Sequence, residues 1–262
     1  MDLTDAHVLV TGASRGIGAG LAREFHAKGA KVTLVARSAG PLEELAAELG
    51  GTAITADLVD PAAREGLISR VEEQAGPVDV LVNNAGIDAT GPFTELPADA
   101  LSRLVALNVL APMELSRQVL PGMIERGRGH VLMISSLAGT AALPGMAAYA
   151  SSKSALTHFT AGLRADLRGL PVGTTVVEVG LVPTEMKDDV LEYAPTAAAF
   201  RRFYRMGLLA DTSLERLCRA SVSAVASGKR HVRYPRRARG FALLAEAPRR
   251  MTEIIVSGVP PR

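Results

Sequence analysis

The sequence of 262 residues predicts an α/β protein with one domain, built as a three-layer, doubly wound parallel sheet. Short apolar runs rich in Val, Ile and Leu alternate along the chain with longer helical patterns. These runs are continuous rather than alternating with polar residues, which is typical of parallel strands covered on both faces. A glycine-rich turn at residues 11–18 joins the first run to the first helical stretch, as in nucleotide-binding sheets.

The individual elements follow from the same patterns. Strands are expected at residues 7–11, 31–36, 52–56, 78–82, 130–134 and 174–179, with a last strand at 229–234. Helices are expected at residues 16–28, which Gly29 ends, and at 41–49, with further helical stretches between the later strands. Because no linker, charge run or repeat divides the chain, we expect residues 1–262 to form a single domain.

Composition excludes several classes of protein. A hydrophobic fraction of 48% and a charged fraction of 21% are typical of a folded globular chain and exclude disorder. Cys218 is the only cysteine, so no intrachain disulfide can form, and a cytoplasmic location is expected because the first residues lack the apolar core of a secretory signal. The uncharged stretch 131–152 contains too many Ser, Gly and Pro residues for a membrane span.

The formal net charge of +2 is the sum of two unlike parts. Residues 1–200 hold 15 Lys/Arg against 23 Asp/Glu (net −8), whereas residues 201–262 hold 14 against 4 (net +10). The basic extension at about 229–262 is expected to pack on the body or on a second subunit. Contact with an anionic membrane surface is the alternative, and nucleic-acid binding is not expected because no aromatic residues are interleaved for base stacking.

The turn at residues 11–18 reads Thr-Gly-Ala-Ser-Arg-Gly-Ile-Gly and has the composition of a phosphate-binding loop. Glycines allow a tight turn and let backbone N–H groups approach a pyrophosphate at a helix N-terminus. Tyr149 and Lys153 are four residues apart, so a helix places them on one face. A neighbouring ammonium lowers the pKa of a phenol, which makes tyrosine a proton donor near neutral pH.

Five motifs in this order resemble the short-chain dehydrogenase/reductase family, in its NADP-preferring form, over residues 7 to about 186. They are the glycine turn, Asn-Asn-Ala-Gly at 83–86, Asn108, Ser136, and Tyr149 with Lys153. The resemblance implies a Rossmann-like fold and an NADP(H)-dependent oxidoreductase acting on CH–OH groups. It implies catalytic roles for Asn108, Ser136, Tyr149 and Lys153, whereas Ser135 should face the other way as a structural residue.

Asn108 lies four residues before Pro112, which has no N–H to donate to the Asn108 carbonyl. We therefore expect the helix to kink there and leave that carbonyl free for a water. In the family, the corresponding asparagine anchors a water in a proton relay.

The cofactor is expected to be NADP(H). The second strand ends in Ala36-Arg37 with no carboxylate to bind a ribose 2′-hydroxyl, and Arg37 and Arg15 could bind a 2′-phosphate instead. The resemblance and the loop chemistry together assign the following cofactor-binding residues: Gly12, Ser14, Arg15, Gly16, Ile17, Gly18, Arg37, Asp57, Leu58, Asn84, Ala85, Gly86, Tyr149, Lys153, Val182 and Thr184.

A lid at about 183–210 and the neighbouring residues Leu137, Leu143, Pro144 and Met146 are expected to surround the substrate. The lid's apolar side chains favour a fairly apolar ketone or alcohol, although they could instead only pack the lid on the body. No metal is expected, since the histidines are scattered. The alternatives left open are a β-ketoacyl carrier-protein reductase, a non-catalytic nucleotide-binding protein and a membrane-peripheral protein. A homo-oligomer, dimer or tetramer, is also expected.

Overall fold

Parallel strands form the centre of the protein, in a computed structural model that describes residues 1–183, 190–207 and 209–235. Within these residues the strands are β1 His7–Thr11, β2 Lys31–Ala36, β3 Thr52–Thr55, β4 Val80–Asn83, β5 Gly129–Ser136, β6 Val172–Val179 and β7 His231–Tyr234. They form one sheet in the order β3-β2-β1-β4-β5-β6-β7, and every neighbouring pair is parallel. The order reverses between β1 and β4, which is where such sheets bind ligands.

Helices connect the strands. They are α1 Gly16–His26, α2 Ala39–Leu49, α3 Pro61–Arg64, α4 Leu67–Ala75, α5 Ala98–Val105, α6 Ala111–Glu125, α7 Ala147–Asp166, α8 Ala194–Arg205 and α9 Leu214–Ala226. A π-helical turn, Ala106–Leu110, joins α5 to α6, and short 3₁₀ turns lie at Phe93–Glu95 and Leu137–Thr140.

Each face of the sheet is covered by its own apolar core. On one face, Phe25 of α1, Leu42 of α2 and Leu217 of α9 pack against side chains such as Val8 and Val10. On the other face, helices α4, α6 and α7 pack against the side chains that alternate with these. The three-layer doubly wound fold predicted from the sequence is therefore confirmed.

The element bounds differ from the predictions mainly at their ends. Strands β1 and β2 have the predicted bounds, whereas β6 begins two residues earlier than expected, at Val172. The last strand begins at His231 rather than at Lys229, because the Lys229 N–H donates to the Ala224 carbonyl and so closes the end of α9. Most of the basic extension, residues 236–262, lies outside the described residues.

Two further properties concern the described ranges alone. Among residues 1–183, 190–207 and 209–235, no helix is long and apolar enough to cross a membrane. The same residues contain no group of three His, Cys, Asp or Glu side chains placed to hold a metal ion.

Candidate active site

A pocket of about 590 Å³ opens at the carboxyl ends of the strands. It is lined by most of the residues predicted to bind a cofactor or to act in catalysis. These are Gly12, Ser14, Arg15, Gly16, Ile17, Arg37, Asp57, Leu58, Asn84, Ala85, Gly86, Ser136, Tyr149, Lys153 and Val182. Gly18 and Asn108 lie behind this lining, and Thr184 lies outside the described residues. The fold thus brings together side chains that are up to 170 residues apart in the chain.

The glycine turn is closely packed against the loop after β4. Gly12 has a φ of +64°, and a Cβ there would come within 2.8 Å of the Ala85 Cα. A Cβ at Gly18 would lie 2.2 Å from the Gly12 carbonyl oxygen. Both positions therefore require glycine, Gly12 for its backbone conformation and Gly18 for the close approach of α1.

Asn84, which is predicted to bind the cofactor, also holds the glycine turn. Its side-chain Nδ2 donates to the carbonyl oxygens of Thr11 (2.9 Å) and Gly12 (3.1 Å). The Thr11 hydroxyl in turn accepts the N–H groups of Asn84 and Ala85. Asn84 lines the pocket as expected, but its amide nitrogen is used to hold the glycine turn in place.

One end of the pocket is cationic. Arg15 and Arg37 are both exposed and both line the pocket, near Asp57 and Leu58 from the loop after β3. Helix α1 begins directly after Arg15 and has no acidic residue in its first turn. The positive end of the α1 dipole and the two guanidinium groups therefore favour a negatively charged ligand at this end.

Tyr149 and Lys153 lie near the middle of the pocket, one turn apart on α7 and almost fully buried. The Lys153 Nζ lies 5.8 Å from the centre of the Tyr149 ring and donates to the Ile134 carbonyl at 3.1 Å. A Cβ built on Gly86 would lie 3.3 Å from the same Nζ, so glycine leaves room for the ammonium.

The electrostatics of this pair differ from the sequence expectation. Burial raises the pKa of Tyr149 to about 12, and a hydrogen bond with Ser136 acts in the opposite direction. Burial also lowers the pKa of Lys153 to about 8. The pKa of Tyr149 therefore lies above its ordinary value and not near neutral pH as the sequence suggested, because removing the phenol from water disfavours the phenolate.

Asp88 was missed in the sequence. Its negative charge also raises the pKa of Tyr149, and its carboxylate accepts a hydrogen bond from the Thr90 hydroxyl. An acidic residue two positions after the Asn-Asn-Ala-Gly motif was the available signal. It carried no information on distance, since Asp88 and Tyr149 approach each other only through the fold.

The two serines at the end of β5 face opposite sides of the sheet. The Ser136 side chain lines the pocket, donates to the Val179 carbonyl and accepts the Ala138 N–H. Ser135 instead donates to the Lys153 carbonyl at 2.9 Å and lies 2.8 Å from the Thr157 hydroxyl. Ser135 thus fixes the helix that carries Tyr149 and Lys153, in agreement with its predicted structural role.

Asn108 lies in the π-helical turn, where the sequence predicted a kink. Its side-chain Oδ1 accepts the Ile87 N–H, and its Nδ2 donates to the Ile87 carbonyl and the Ser152 hydroxyl. The Ser152 hydroxyl then donates to the Tyr149 carbonyl at 2.7 Å. These contacts connect the turn to α7 from behind the pocket wall, and turns of this kind occur frequently at functional sites.

Several described residues of the predicted lid line the pocket. They are Val190, Phe200, Phe203 and Leu209, which line it together with Leu137, Leu143 and Met146. Pro144 does not line it; its carbonyl accepts a hydrogen bond from the buried Thr196 hydroxyl of α8 at 2.6 Å. Tyr204 and Met206 do not line the pocket either. The Tyr204 hydroxyl donates a hydrogen bond to the Asp211 carboxylate, and Met206 is 70% exposed.

The structure thus combines a doubly wound parallel sheet, a closely packed glycine turn and a buried Tyr149–Lys153 pair that lines one pocket. A family model described as short chain dehydrogenase matches residues 6–194. The chain therefore belongs to the short-chain dehydrogenase/reductase family, as the five sequence motifs indicated.

Individual relatives agree with this assignment. The chain is 39% identical over 193 residues to Dehydrogenase/reductase SDR family member 7B of Bos taurus, covering 70% of this chain and 59% of that protein. It is 37% identical over 202 residues to ketoacyl reductase HetN of Nostoc sp., covering 75% and 70%. The chain thus spans about three fifths of the length of the mammalian relatives, where the matches cover 59–60%.

Solved structures extend the likeness beyond the matched segment. A short-chain dehydrogenase from Streptomyces avermitilis superposes with a TM-score of 0.80 at 28% identity, covering 98% of this chain and 97% of that one. A variant of the actinorhodin polyketide ketoreductase with NADPH gives a TM-score of 0.79 at 29% identity, covering 88% and 95%.

Proposed function

We propose that this chain is an NADP(H)-dependent oxidoreductase that interconverts a carbonyl and a hydroxyl group on a fairly apolar small molecule. The observation that carries the proposal is the convergence of Ser136, Tyr149 and Lys153 in one pocket with the glycine turn. A protein that only bound a nucleotide would not require a buried phenol beside a buried ammonium, because burying both costs free energy.

The residues that line the pocket support the binding of a nicotinamide dinucleotide. The glycine turn and the N-terminus of α1 would hold its pyrophosphate, and Gly12 and Gly18 allow this turn to pack closely against the loop after β4. Asp57 and Leu58 would contact the adenine, and Ala85, Gly86 and Val182 would contact the nicotinamide half. When bound, this cofactor supplies or accepts a hydride.

In the proposed reaction, side chains of this protein transfer a proton to the substrate oxygen. The Ser136 hydroxyl positions the substrate oxygen, and the Tyr149 hydroxyl donates its proton to that oxygen as negative charge develops there. Lys153 lies close enough to stabilise the phenolate that remains after the proton has left. The Asn108 side chain bonds to Ile87 in the loop after β4 and to Ser152 on α7, the helix that carries Tyr149 and Lys153. We propose that the backbone carbonyl of Asn108 anchors a relay water.

The preference for NADP(H) is proposed from the cationic end of the pocket. Arg37 stands directly after β2, where an acidic residue would select the ribose 2′-hydroxyl of NAD. Arg15 lines the same pocket, and we propose that both guanidinium groups bind the 2′-phosphate. The apolar lid, with Phe200, Phe203 and Leu209, favours a substrate with a substantial hydrocarbon part.

A Tyr149→Phe variant tests the proposed chemistry. It removes the donating hydroxyl and keeps the ring, so we expect turnover of a ketone panel, followed by NADPH absorbance, to fall at least about a thousandfold. The affinity for NADPH should stay within about twofold. Tyr204→Phe is the matched control, since that hydroxyl bonds to Asp211 away from the pocket. Retained turnover in Tyr149→Phe would disprove the mechanism.

A β-ketoacyl carrier-protein reductase is the second candidate. It is favoured by the likeness to a ketoacyl reductase and to a polyketide ketoreductase. In this second proposal, a β-ketoacyl group enters the pocket while its carrier protein stays at the protein surface. In the first proposal, a small ketone lies entirely within the pocket. Comparing kcat/KM for acetoacetyl thioesters and for apolar ketones of similar size separates the two candidates.

We also propose that the chain forms a homodimer through the outer face of α5 and α7. Three large apolar side chains on or beside α5 are exposed, Phe93 (61%), Val105 (39%) and Leu110 (42%). Phe93 and Val105 border a groove with small side chains on α7 such as Ala148 and Ser151. Val105→Glu should produce monomers in light scattering. Leu170→Glu, exposed to 42% elsewhere on the surface, should not.

A further inference from the structure

Arg64, the last residue of α3, is a charged side chain buried in the interior with only 2% exposure. Its Nη1 donates to the carbonyl oxygens of Leu58 (2.8 Å) and Val59 (2.9 Å). Its Nε and Nη2 donate to the Glu114 carboxylate of α6, at 2.5 and 3.4 Å. The guanidinium therefore forms a bridge between the loop after β3 and a helix fifty residues later in the chain.

The position of this bridge connects it to the pocket. Asp57 and Leu58 line the proposed adenine end, and Arg64 holds the outer side of the same loop without lining the pocket itself. The turn is also internally bonded, since the Val59 N–H donates to the Asp57 side chain and the Asp60 N–H donates to the Asp57 carbonyl. Its local shape therefore does not depend on Arg64, but its attachment to the body does.

Helix α6 provides a second contact on the same face. Gln118, one turn after Glu114, donates from Nε2 to the Arg64 carbonyl at 2.9 Å, and its Oε1 accepts the Ile68 N–H. The same helix follows directly from the π-helical turn that contains Asn108. One continuous helical segment thus holds the adenine-side loop at one point and the catalytic region at another.

We propose that Arg64 is a positioning residue for the cofactor pocket: by holding the Leu58 and Val59 carbonyls against Glu114, it fixes the wall that the adenine half of the cofactor contacts. The inference rests on the proposed function. Lysine cannot replace arginine here, because an ammonium lacks the planar set of donors that reaches two carbonyls and a carboxylate at once.

Arg64→Lys tests the proposal by titration calorimetry and steady-state kinetics in the chain of 262 residues. We expect the Kd for adenosine 2′,5′-bisphosphate, and the KM for NADPH, to rise about tenfold, as expected for the loss of one or two charge-assisted hydrogen bonds. At saturating NADPH, kcat should stay within about twofold, and so should turnover supported by reduced nicotinamide mononucleotide, which has no adenine. Arg23→Lys is the matched control. It alters an exposed two-bond Arg–Glu pair that joins α1 to α2 away from this loop, and should leave both constants unchanged.

Each outcome decides the question. An unchanged Kd in folded Arg64→Lys, or an equal loss with the mononucleotide, would show that Arg64 supports only the core and would overturn the proposal. If Arg64→Lys does not fold, Glu114→Gln takes its place, because it weakens the bridge and keeps the bonds from Arg64 to the Leu58 and Val59 carbonyls. A rise in Kd of about threefold or more then supports the proposal, and no rise overturns it. A wild-type chain that binds neither adenosine 2′,5′-bisphosphate nor NADPH would overturn the proposed function together with this inference.

Discussion

Replacing Lys153 by methionine should abolish turnover and yet stabilise the fold. Burial lowers the pKa of this lysine from its ordinary value near 10.5 to about 8, which means that the buried site disfavours the ammonium. Each pKa unit corresponds to about 1.4 kcal/mol. At pH 7 the lysine is still protonated, so its burial costs about 3 kcal/mol that methionine, an apolar chain of similar length, would not.

The pH dependence of this effect has a definite sign. Because the pKa of Lys153 is lower in the folded chain than in the unfolded one, the unfolded chain binds more protons between about pH 8 and 10.5, and wild-type stability gains from this group as the pH rises. The advantage of Lys153→Met should therefore shrink by about 2 kcal/mol between pH 7 and 9.5.

Urea unfolding at a series of pH values measures both effects. Lys28→Met, at an exposed position, is the control and should change stability by less than about 0.5 kcal/mol. Lys153→Arg, which keeps the charge and enlarges the side chain, should be less stable than wild type. If Lys153→Met is less stable than wild type at pH 7, or its advantage does not depend on pH, the reasoning from burial is refuted.

Three further predictions concern the cofactor, the sheet and the lid. Arg37→Ala should raise the KM for NADPH by about tenfold or more and leave that for NADH nearly unchanged; an equal rise in both would contradict the assignment of this residue to the 2′-phosphate. Burial lowers the pKa of His130 to about 4, so below its ordinary pKa of 6.5 the unfolded chain takes up a proton that the folded chain does not. Urea unfolding should accordingly show about 2 kcal/mol less stability at pH 5 than at pH 7 from this group, and His130→Gln should remove that difference. Phe200→Ala should raise the KM for a bulky aromatic ketone about tenfold with little effect on acetone or on NADPH, and parallel changes for both ketones would argue against a substrate contact.

Local patterns predicted most of the fold and most of the residues that line the pocket. Strands β1 and β2 have the predicted bounds because each is a short run rich in β-branched and aliphatic residues, which is typical of a central parallel strand. Tyr149 and Lys153 could be paired in advance because helical geometry alone sets an i, i+4 spacing.

Properties that depend on burial, or on contacts with residues far away in the sequence, could not be predicted from local patterns. The pKa of Tyr149 is set first by burial and then by Ser136 and Asp88, and neither the burial nor the approach of Asp88 is visible in the local sequence. The Asn84 amide is used to hold the glycine turn, a contact across more than seventy residues. Arg64 looks like a surface arginine at the end of a short helix until Glu114 is placed against it.

Arg64 and Lys153 show two ways in which this fold buries a cation, and the difference supports the proposed role of Lys153. Arg64 is held by two carbonyls and a carboxylate, so its charge is satisfied and its geometry is fixed. Lys153 lies over the Tyr149 ring and donates to a backbone carbonyl, and burial lowers its pKa to about 8. A cation held at such a free-energy cost is poorly explained by stability, since an apolar residue would serve better. It is explained if a phenolate forms beside it during turnover, because the developing negative charge then offsets the cost at the step where it is needed.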